Sequence, residues 1–420
     1  MTTALREALT DLADGVAPYV VREDLGRTAW SRGRRRRWRR RAVRSALALL
    51  AIAFVVTNVF PIAVVPSFGG DPSSPVVDGY PGGIGHQWRI PALPDRPGPI
   101  AGLMLTDGWY AVSPTGVRWS LSTAAGDQPT VSPDGRYVAL LEAADGPYAI
   151  RDLVTGTRKV FPAVGLGAGS AYQLPSDSPK FWAPDGRHLA MRATQPARGL
   201  TGVLVLGVDG SEFFGSDEFT AGADRLLVGW AGPSALVWLR VASAHAATVE
   251  TDWLYGPTFG VVVLVPTQPW SLNNVTMWHM LVSPDGSSLV VLEPVGSETT
   301  VHRFSLTTGN ELEPPAVTPR AVTRCAPTWV GSEVAIPVSL GANVDTALVT
   351  EQGIRPLVVI EAVIGSRCLV WATGALAGTR HGSPWDDSTY FWWRELLVVC
   401  VLATSLGYVV WRFLRRRRFT

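Results

Sequence analysis

A short polar turn followed by an apolar run recurs along the middle of the chain. It reads VSPDGRYVALLE from Val131, WAPDGRHLAMRA from Trp182 and VSPDGSSLVVLE from Val282. Weaker copies begin at Trp230, Trp329 and Trp371. Successive marks lie 51, 48, 52, 47 and 42 residues apart, and a period near 50 is typical of propellers and solenoids.

The turns of this repeat predict β-structure. Proline presets φ for a tight turn, and the glycine of Asp-Gly supplies the left-handed position. Apolar runs such as 137–141 and 289–292 follow as one strand, and segments 149–156, 203–210 and 301–309 follow as the next. Four short strands per repeat make one propeller blade. The turn residues are Pro133, Asp134, Gly135, Pro184, Asp185, Gly186, Pro284, Asp285 and Gly286.

The two ends of the repeat region predict how the ring closes. The last mark, Trp371, leaves room for one or two strands before about residue 383. The segments 103–106, 109–113 and 117–121 precede the first mark and supply the missing strands. We therefore expect an all-β fold with a six-bladed propeller over 100–382, with seven blades as the alternative. The tryptophans expected to pack between blades are Trp182, Trp230, Trp329 and Trp371.

Two apolar segments flank the repeats. Residues 45–65 carry no charge, and residues 396–414 carry only Arg412 near their end. Each is long enough to cross a bilayer core of about 30 Å as a helix. We interpret both as single transmembrane helices rather than core helices. A cleaved signal peptide is the alternative for the first, but the 44 residues before it are long for one.

Arginines beside both segments predict their orientation. Arginine-rich ends remain in the cytoplasm, so both termini are expected inside and the propeller outside. The topogenic arginines are Arg34, Arg35, Arg36, Arg37, Arg415, Arg416, Arg417 and Arg418. The resulting divisions are a tail (1–44), a helix (45–65), an extracytoplasmic linker (66–99), the propeller (100–382), a juxtamembrane linker (383–395), a helix (396–414) and a tail (415–420).

Composition and charge agree with this division. The chain has 420 residues, is 47% hydrophobic and 17% charged, and has a net charge of +2. Residues 1–44 carry +7, residues 66–395 carry −10 and residues 396–420 carry +5. These values exclude a disordered chain, a coiled coil and a disulfide-dense miniprotein. The near-neutral total conceals a strongly asymmetric distribution.

The SPDG phrases resemble the TolB-type propeller repeat of bacterial periplasmic and envelope proteins, over about residues 130–375. This resemblance implies a propeller and a bacterial cytoplasmic-membrane setting, and it leaves function open. The N-terminal tail places Leu5, Leu9 and Leu12 on one helical face. With the arginine run, this layout resembles membrane proteins that accompany extracytoplasmic-function sigma factors. The leucine face suggests a cytosolic regulator or a lipid surface bound to the tail, and a frayed, solvated leader is the alternative.

The candidate chemistry is sparse. The six histidines are scattered without a metal-ligand spacing, and no nucleophile elbow or phosphate loop occurs. Asp134, Asp185 and Asp285 recur once per blade, which favours structural turns over metal ligation. Cys325 and Cys368 precede consecutive marks by similar distances, so a disulfide is expected, with two free thiols as the alternative. No cofactor is expected. No nucleic acid is expected either, because the arginine run adjoins a membrane segment.

Three functions remain in view. We favour a non-enzymatic, membrane-anchored propeller that binds a protein, peptide or glycan at the cell envelope. The first alternative is a regulatory protein that senses the envelope and binds a cytosolic regulator such as a sigma factor. The second is a propeller hydrolase or lactonase, which needs convergent carboxylates or histidines in the central channel.

Overall fold

The computed structural model describes Arg6, Glu7, Thr10 and most of residues 76–382. Within that range, the residues outside the description are 86, 88–89, 144–145, 167–168, 176–178, 217–224, 244, 254–257, 269, 272–278, 314, 320, 322–324, 341–342, 351–352 and 361–365. Arg6, Glu7 and Thr10 are helical, and the Thr10 hydroxyl donates to the Arg6 carbonyl at 2.7 Å. The predicted helices 45–65 and 396–414, the topogenic arginines and Leu5, Leu9 and Leu12 lie outside the described residues.

The first three blades are antiparallel four-stranded units. Blade 1 contains β28 (Cys368–Trp371), β3 (Gly102–Leu105), β4 (Trp109–Val112) and β5 (Arg118–Ser120). Blade 2 contains β6 (Thr130–Val131), β7 (Tyr137–Leu141), β8 (Tyr148–Asp152) and β9 (Arg158–Phe161). Blade 3 contains β12 (Lys180–Trp182), β13 (His188–Gln195), β14 (Leu200–Gly207) and β15 (Glu212–Ser216), and β13 also pairs with β11 (Tyr172–Gln173), which pairs with β10 (Val164–Gly165).

The remaining three blades repeat the same order. Blade 4 contains β16 (Arg225–Trp230), β17 (Ala235–Ser243), β18 (Ala246–Trp253) and β19 (Thr258–Val263). Blade 5 contains β20 (Met280–Val282), β21 (Ser288–Val295), β22 (Glu298–Ser305) and β23 (Ala316–Pro319). Blade 6 contains β24 (Thr328–Val330), β25 (Glu333–Leu340), β26 (Asn343–Thr350) and β27 (Gly353–Ile360).

These sheets form a six-bladed β-propeller, which confirms the predicted fold and blade number. The first strands of consecutive blades contact one another, as β28 with β6, β6 with β12, β12 with β16 and β16 with β20. The first strands therefore line the axis, and apolar side chains fill the spaces between neighbouring blades. Within the described part of the chain, no helix is long and apolar enough to cross a bilayer.

The ring closes by pairing the two ends of the propeller. The C-terminal strand β28 lies antiparallel to β3, with Cys368 opposite Leu105 and Trp371 opposite Gly102. Three strands of blade 1 thus precede the first repeat, as the sequence predicts. The structure also joins Cys325, before β24, to Cys368 in a disulfide with Cα atoms 5.5 Å apart. This bond fastens the closing strand to blade 6.

Part of the segment predicted as a linker belongs to the fold. Within 66–99, β1 (Gly79–Pro81) pairs with β29 (Thr379–His381), and β2 (Gly83–Ile84) pairs with β27. Ile84 is fully buried, and Ala92 bridges to Ser120 of β5. The prediction of a linker over 66–99 is corrected for its described residues. The paired strands within 66–99 are only two or three residues long, which is too short to show a hydrophobic period.

The turn of blade 2 contacts both ends of the propeller. Gly135 has a φ of 72°, and a Cβ there would lie 2.2 Å from the Ile100 carbonyl oxygen. The Val77 N–H donates to the Asp134 carbonyl at 2.8 Å. After β28, the short helix α1 (Thr373–Ala377) brings the Gly374 N–H to the Pro133 carbonyl at 2.7 Å. Both ends of the propeller therefore meet on the face that carries the turn between the first and second strands.

We expect the Cys325→Ser/Cys368→Ser double variant to lose about 3–4 kcal/mol of unfolding free energy. The disulfide closes a loop across 43 residues, and its loss restores chain entropy to the unfolded state. Urea unfolding followed by tryptophan fluorescence measures the change. A reductant should reproduce the loss in the parent protein and have no effect on the double variant. Equal stability of the two proteins would contradict the expectation.

Candidate functional site

The repeat aspartates hold their own turns. In each Pro-Asp-Gly turn, the aspartate Oδ1 accepts a backbone N–H from the residue two positions later, as in an Asx turn. The Ser283 hydroxyl and the Ser287 N–H lower the pKa of Asp285, whereas burial raises the pKa of Asp134. The donors are Arg136 N to Asp134 (3.1 Å), Arg187 N to Asp185 (2.8 Å) and Ser287 N to Asp285 (3.0 Å).

Three of the four repeat tryptophans tie their blades to the preceding one. The indole N–H of Trp230 donates to the Phe181 carbonyl, and that of Trp329 donates to the Val282 carbonyl, both at 2.9 Å. The indole of Trp371 donates to the Thr346 hydroxyl at 2.7 Å. These three tryptophans are buried.

Trp182 differs from the other three. Its side chain is partly exposed and stacks on Tyr137 of blade 2, with the ring centroids 6.3 Å apart. Its buried indole nitrogen has no hydrogen-bond partner among the described residues. Trp182 therefore contacts the preceding blade through ring stacking and apolar packing, without an indole hydrogen bond to a described residue.

An ion pair is buried between blades 2 and 3. The Lys180 amino group lies 2.6 Å from Asp127 Oδ1 and donates to the Gln128 carbonyl at 2.6 Å. Asp127 Oδ2 accepts the Leu141 N–H at 2.6 Å. The Lys180 ammonium also lies 5.2 Å from the centre of the Tyr148 ring. Burial raises the pKa of Tyr148 well above its usual value. The contacts of Lys180 with Asp127 and Gln128 therefore link the start of β12 to the loop before β6.

A second buried charged cluster lies on blade 4, at its boundary with blade 3. The Arg225 guanidinium pairs with Glu250 at 2.9 Å and also with Asp252. Its carbon lies 4.4 Å from the centre of the Trp238 ring, which packs among apolar residues of blades 3 and 4. Cation–π contact and two carboxylates thus compensate a guanidinium removed from water.

The third cluster centres on His302 between blades 4 and 5. His302 is 1% exposed. Its Nε2 lies 3.0 Å from Glu293, and its Nδ1 lies 2.8 Å from Glu311. The Trp270 ring packs edge-on against the imidazole at 5.6 Å. A single imidazole therefore bridges two carboxylates in a region that excludes water.

The same carboxylates hold the connection between blades 4 and 5. Glu293 accepts the Ser271 N–H at 2.6 Å. Glu311 accepts the Thr267 N–H at 2.6 Å and the Thr267 hydroxyl. Trp270, between these two residues, donates its indole N–H to the His245 carbonyl at 3.0 Å. This connection is fixed by polar contacts at several points.

The face opposite the two ends of the propeller has an uneven rim. The second and third strands are four residues long in blade 1 and five in blade 2. In blades 3 to 6 they are eight or nine residues long. In blades 2 to 6 the second strand begins just after the turn that follows the first strand, so the hairpins of blades 3 to 6 project about 10 Å further than that of blade 2. Four tall hairpins thus stand beside two short ones.

The three clusters pair basic side chains with acidic ones. Among the described residues, no group of three or more histidine, cysteine or acidic side chains has a metal-holding arrangement. Each basic group in the three clusters already contacts a carboxylate. The chemistry that the clusters support is therefore the positioning of blades and of the loops between them.

Sequence reasoning missed all three clusters. Lys180 and Asp127 lie 53 positions apart, and His302 lies nine positions from each of its glutamates. Neither spacing corresponds to a recognised motif. One feature of the sequence could have drawn attention to Lys180, which is one of only two lysines in a chain with 35 arginines.

No family model and no curated protein matches the chain. Solved structures similar to it include TolB from Acinetobacter baumannii, with 16% identity, a TM-score of 0.43 and coverage of 66% of this chain and 67% of that one. A nidogen/laminin complex chain has 10% identity, a TM-score of 0.42 and coverage of 66% and 99%. The propeller domain of the Trilobed protease from Pyrococcus furiosus has 12% identity, a TM-score of 0.38 and coverage of 66% and 84%.

We expect His302→Phe to lower the unfolding free energy by about 3 kcal/mol. The substitution keeps a planar ring and removes one partner from each of two buried carboxylates, which is costly in a dry environment. Urea unfolding measures the change. Arg158→Gln is the matched control, because its ion pair with Glu142 is half exposed and should contribute less than about 1 kcal/mol. Equal effects of the two variants would contradict the assignment.

Asp345 is a buried carboxyl whose replacement is expected to stabilise the protein, in contrast to the replacement of His302. It is 8% exposed, and its Oδ1 accepts the Ile360 N–H at 3.0 Å. Burial raises its pKa above the usual value. The ionised carboxyl therefore opposes folding, and this effect grows as the pH rises from the usual carboxyl range through the folded pKa.

We expect Asp345→Asn to raise the urea midpoint at pH 7, because the amide oxygen still accepts the Ile360 N–H and carries no charge. The gain should shrink as the pH falls and vanish well below the usual carboxyl pKa of about 4, where the carboxyl is protonated in both states. Asp95→Asn, at a carboxyl whose side chain is 97% exposed, is the control and should leave the midpoint unchanged. A gain independent of pH would refute the assignment.

Proposed function

We propose that the protein is a membrane-anchored, extracytoplasmic and non-enzymatic propeller that binds a protein, peptide or glycan at the bacterial cell envelope. One observation carries the proposal, which is the pairing of β1 with β29. Gly79 lies opposite Thr379 and Pro81 opposite His381. The two ends of the propeller therefore stand side by side, although 300 positions separate them.

This pairing suits a protein held in a membrane at both ends. The uncharged segment 45–65 precedes β1, and the nearly uncharged segment 396–414 follows β29. Arginine runs on the far side of each favour a cytoplasmic position for both termini. Adjacent exits let both segments enter one bilayer without distorting the ring. In this proposal, the face that carries the two ends of the propeller points towards the membrane.

The opposite face is then the recognition surface. It carries the hairpins of unequal length, and loops on a rigid ring are well suited to binding. The region 66–395 has a net charge of −10, which favours basic or cation-bridged partners. The buried clusters between blades support recognition indirectly, because they fix the hairpins and connections that form this face.

Cysteine labelling in intact cells tests the topology. In a Cys400→Ser background, we expect a membrane-impermeant maleimide to label Ala197→Cys at an exposed hairpin tip and not Thr10→Cys in the tail. The native pair Cys325–Cys368 is buried and bonded, so it contributes no background. After lysis both positions should react. Reaction at residue 197 only after lysis would place the propeller inside and overturn the proposal.

Crosslinking tests the recognition face. A photoreactive residue at position 197, on the tall-hairpin side, should give a discrete adduct in cells. The control places the photoreactive residue at Asp209, which is exposed on the turn between β14 and β15. This turn lies on the face that carries the ends of the propeller. An adduct that forms at 209 and not at 197 would reverse the assigned orientation of binding.

A further inference from the structure

The outer strand of each blade has one edge that faces away from the axis, and most of these edges are protected. The edge of blade 6 is covered by β2, with Gly83 opposite Val359 and Ile84 opposite Ile360. The edge of blade 1 is covered at Ser120 by a bridge to Ala92. Natural sheets cover edges in this way because unpaired backbone groups otherwise recruit other strands.

Three further edges carry residues that discourage pairing. Charged residues occupy the outer strands of blades 2 and 3, as Arg158 and Lys159 in β9 and Glu212 in β15. The outer strand of blade 5 is four residues long and ends in Pro319, which has no N–H to donate. Charge, shortness and proline are the usual means of blocking an edge.

Blade 4 has none of these features. Its outer strand β19 is six residues long, and no aspartate, glutamate, lysine or arginine occurs between Asp252 and Asp285. Three valines on one side of this edge are exposed to unusual degrees, namely Val261 (64%), Val263 (57%) and Val265 (52%). Large exposed apolar side chains in a row mark interaction surfaces.

The backbone of β19 is also directed outward at these residues. The Leu264 N–H donates to the Ala247 carbonyl of blade 4 at 3.0 Å, so the even-numbered residues face β18. In an antiparallel pair the alternate residues face the other way. The amide groups of Val261 and Val263 therefore point away from β18.

The next residue in that series shows that this edge accepts a strand. The Val265 N–H donates to the Gly309 carbonyl at 2.9 Å, and its carbonyl accepts the Glu311 N–H at 3.3 Å. Val265 and Asn310 form a parallel bridge. Gly309 is required here, because a Cβ would lie 2.0 Å from the Val263 carbonyl oxygen. A segment of blade 5 thus pairs with the end of the edge and lies against the Val263 carbonyl. Among the described residues, no strand pairs with the stretch of β19 before it.

We propose that the edge of β19 at Val261–Val263 is a docking site for an extended segment of a partner protein. That segment carries aliphatic side chains at alternate positions, to pack beside the valines, and no charge in the paired stretch. Backbone hydrogen bonds provide affinity, and the valine row provides selectivity, as in β-strand addition. The site lies on the outer rim of blade 4 and is independent of the membrane topology and of the recognition face proposed above.

The size of the edge favours a short segment over a second copy of this chain. A stable dimer buries about 800 Å² on each partner, or some 20–30 residues. A six-residue strand with two exposed valines, and a third just beyond its end, supplies far less. The pairing of Gly309–Glu311 with Val265 shows the same mode on a smaller scale within the chain.

Peptide selection tests the proposal. A phage-displayed library of random dodecapeptides is selected on the full 420-residue chain, and selected peptides are measured by fluorescence anisotropy. We expect enrichment of peptides with alternating aliphatic residues and an uncharged centre. Val261→Lys should weaken their binding at least tenfold, because lysine blocks strand addition. Val317→Lys, at a valine 56% exposed on the outer strand of blade 5, should leave binding unchanged.

The remaining outcomes overturn the proposal. Peptides that bind the Val261→Lys variant as well as the parent protein use another site. Failure to enrich any peptide shows that the edge does not accept strands. Sedimentation that reveals a dimer lost on Val261→Lys assigns the edge to a second copy instead. Both substitutions are at exposed positions, and matching circular dichroism spectra confirm that each variant is folded.

Discussion

The antiparallel pairing of β28 with β3 is the constraint on which the rest of the ring depends. A blade buries its two faces only between neighbours, so an open array of six leaves two faces exposed. Four residues from the C-terminal end of the propeller, Cys368–Trp371, remove both exposed faces at once. The disulfide to Cys325 and the indole of Trp371 on Thr346 then fasten that strand to blade 6.

Closure accounts for the polar clusters between blades. Apolar surfaces alone allow neighbouring blades to slide, because hydrophobic contact is not directional. Lys180 with Asp127 and His302 with its two glutamates have defined partners at 2.6–3.0 Å. Both clusters also contact the backbone of a connection between blades, since Lys180 donates to the Gln128 carbonyl and Glu293 accepts the Ser271 N–H. A buried charge left without its partner is costly, so these contacts favour one register of the ring and one position of its loops.

Features of the fold that depend on local contacts were predictable from the sequence, whereas features that depend on contacts between distant segments were not. The Asp134, Asp185 and Asp285 turns are local, since each carboxylate binds an N–H two residues away, and from them the period, the strands and the six blades follow. Blade closure followed from counting strands. The pairing of 83–84 and 92 with outer strands had no local signal, because two-residue strands carry no period. The charged clusters needed the register between blades, which spacing along the chain does not contain.

The treatment of edges separates the surfaces of the ring by role. Residues 83–84 cover the edge of blade 6, Ala92 bridges to the edge of blade 1, and residues 79–81 pair with the strand that ends the propeller. Charged residues and proline protect blades 2, 3 and 5. Against that background, an uncharged edge at Val261 and Val263 is an exception with a physical cost, because exposed strand edges invite aggregation. Among the described residues, the other five outer edges are covered or carry residues that block pairing, and strand addition is the use that the outward-facing amides of β19 favour.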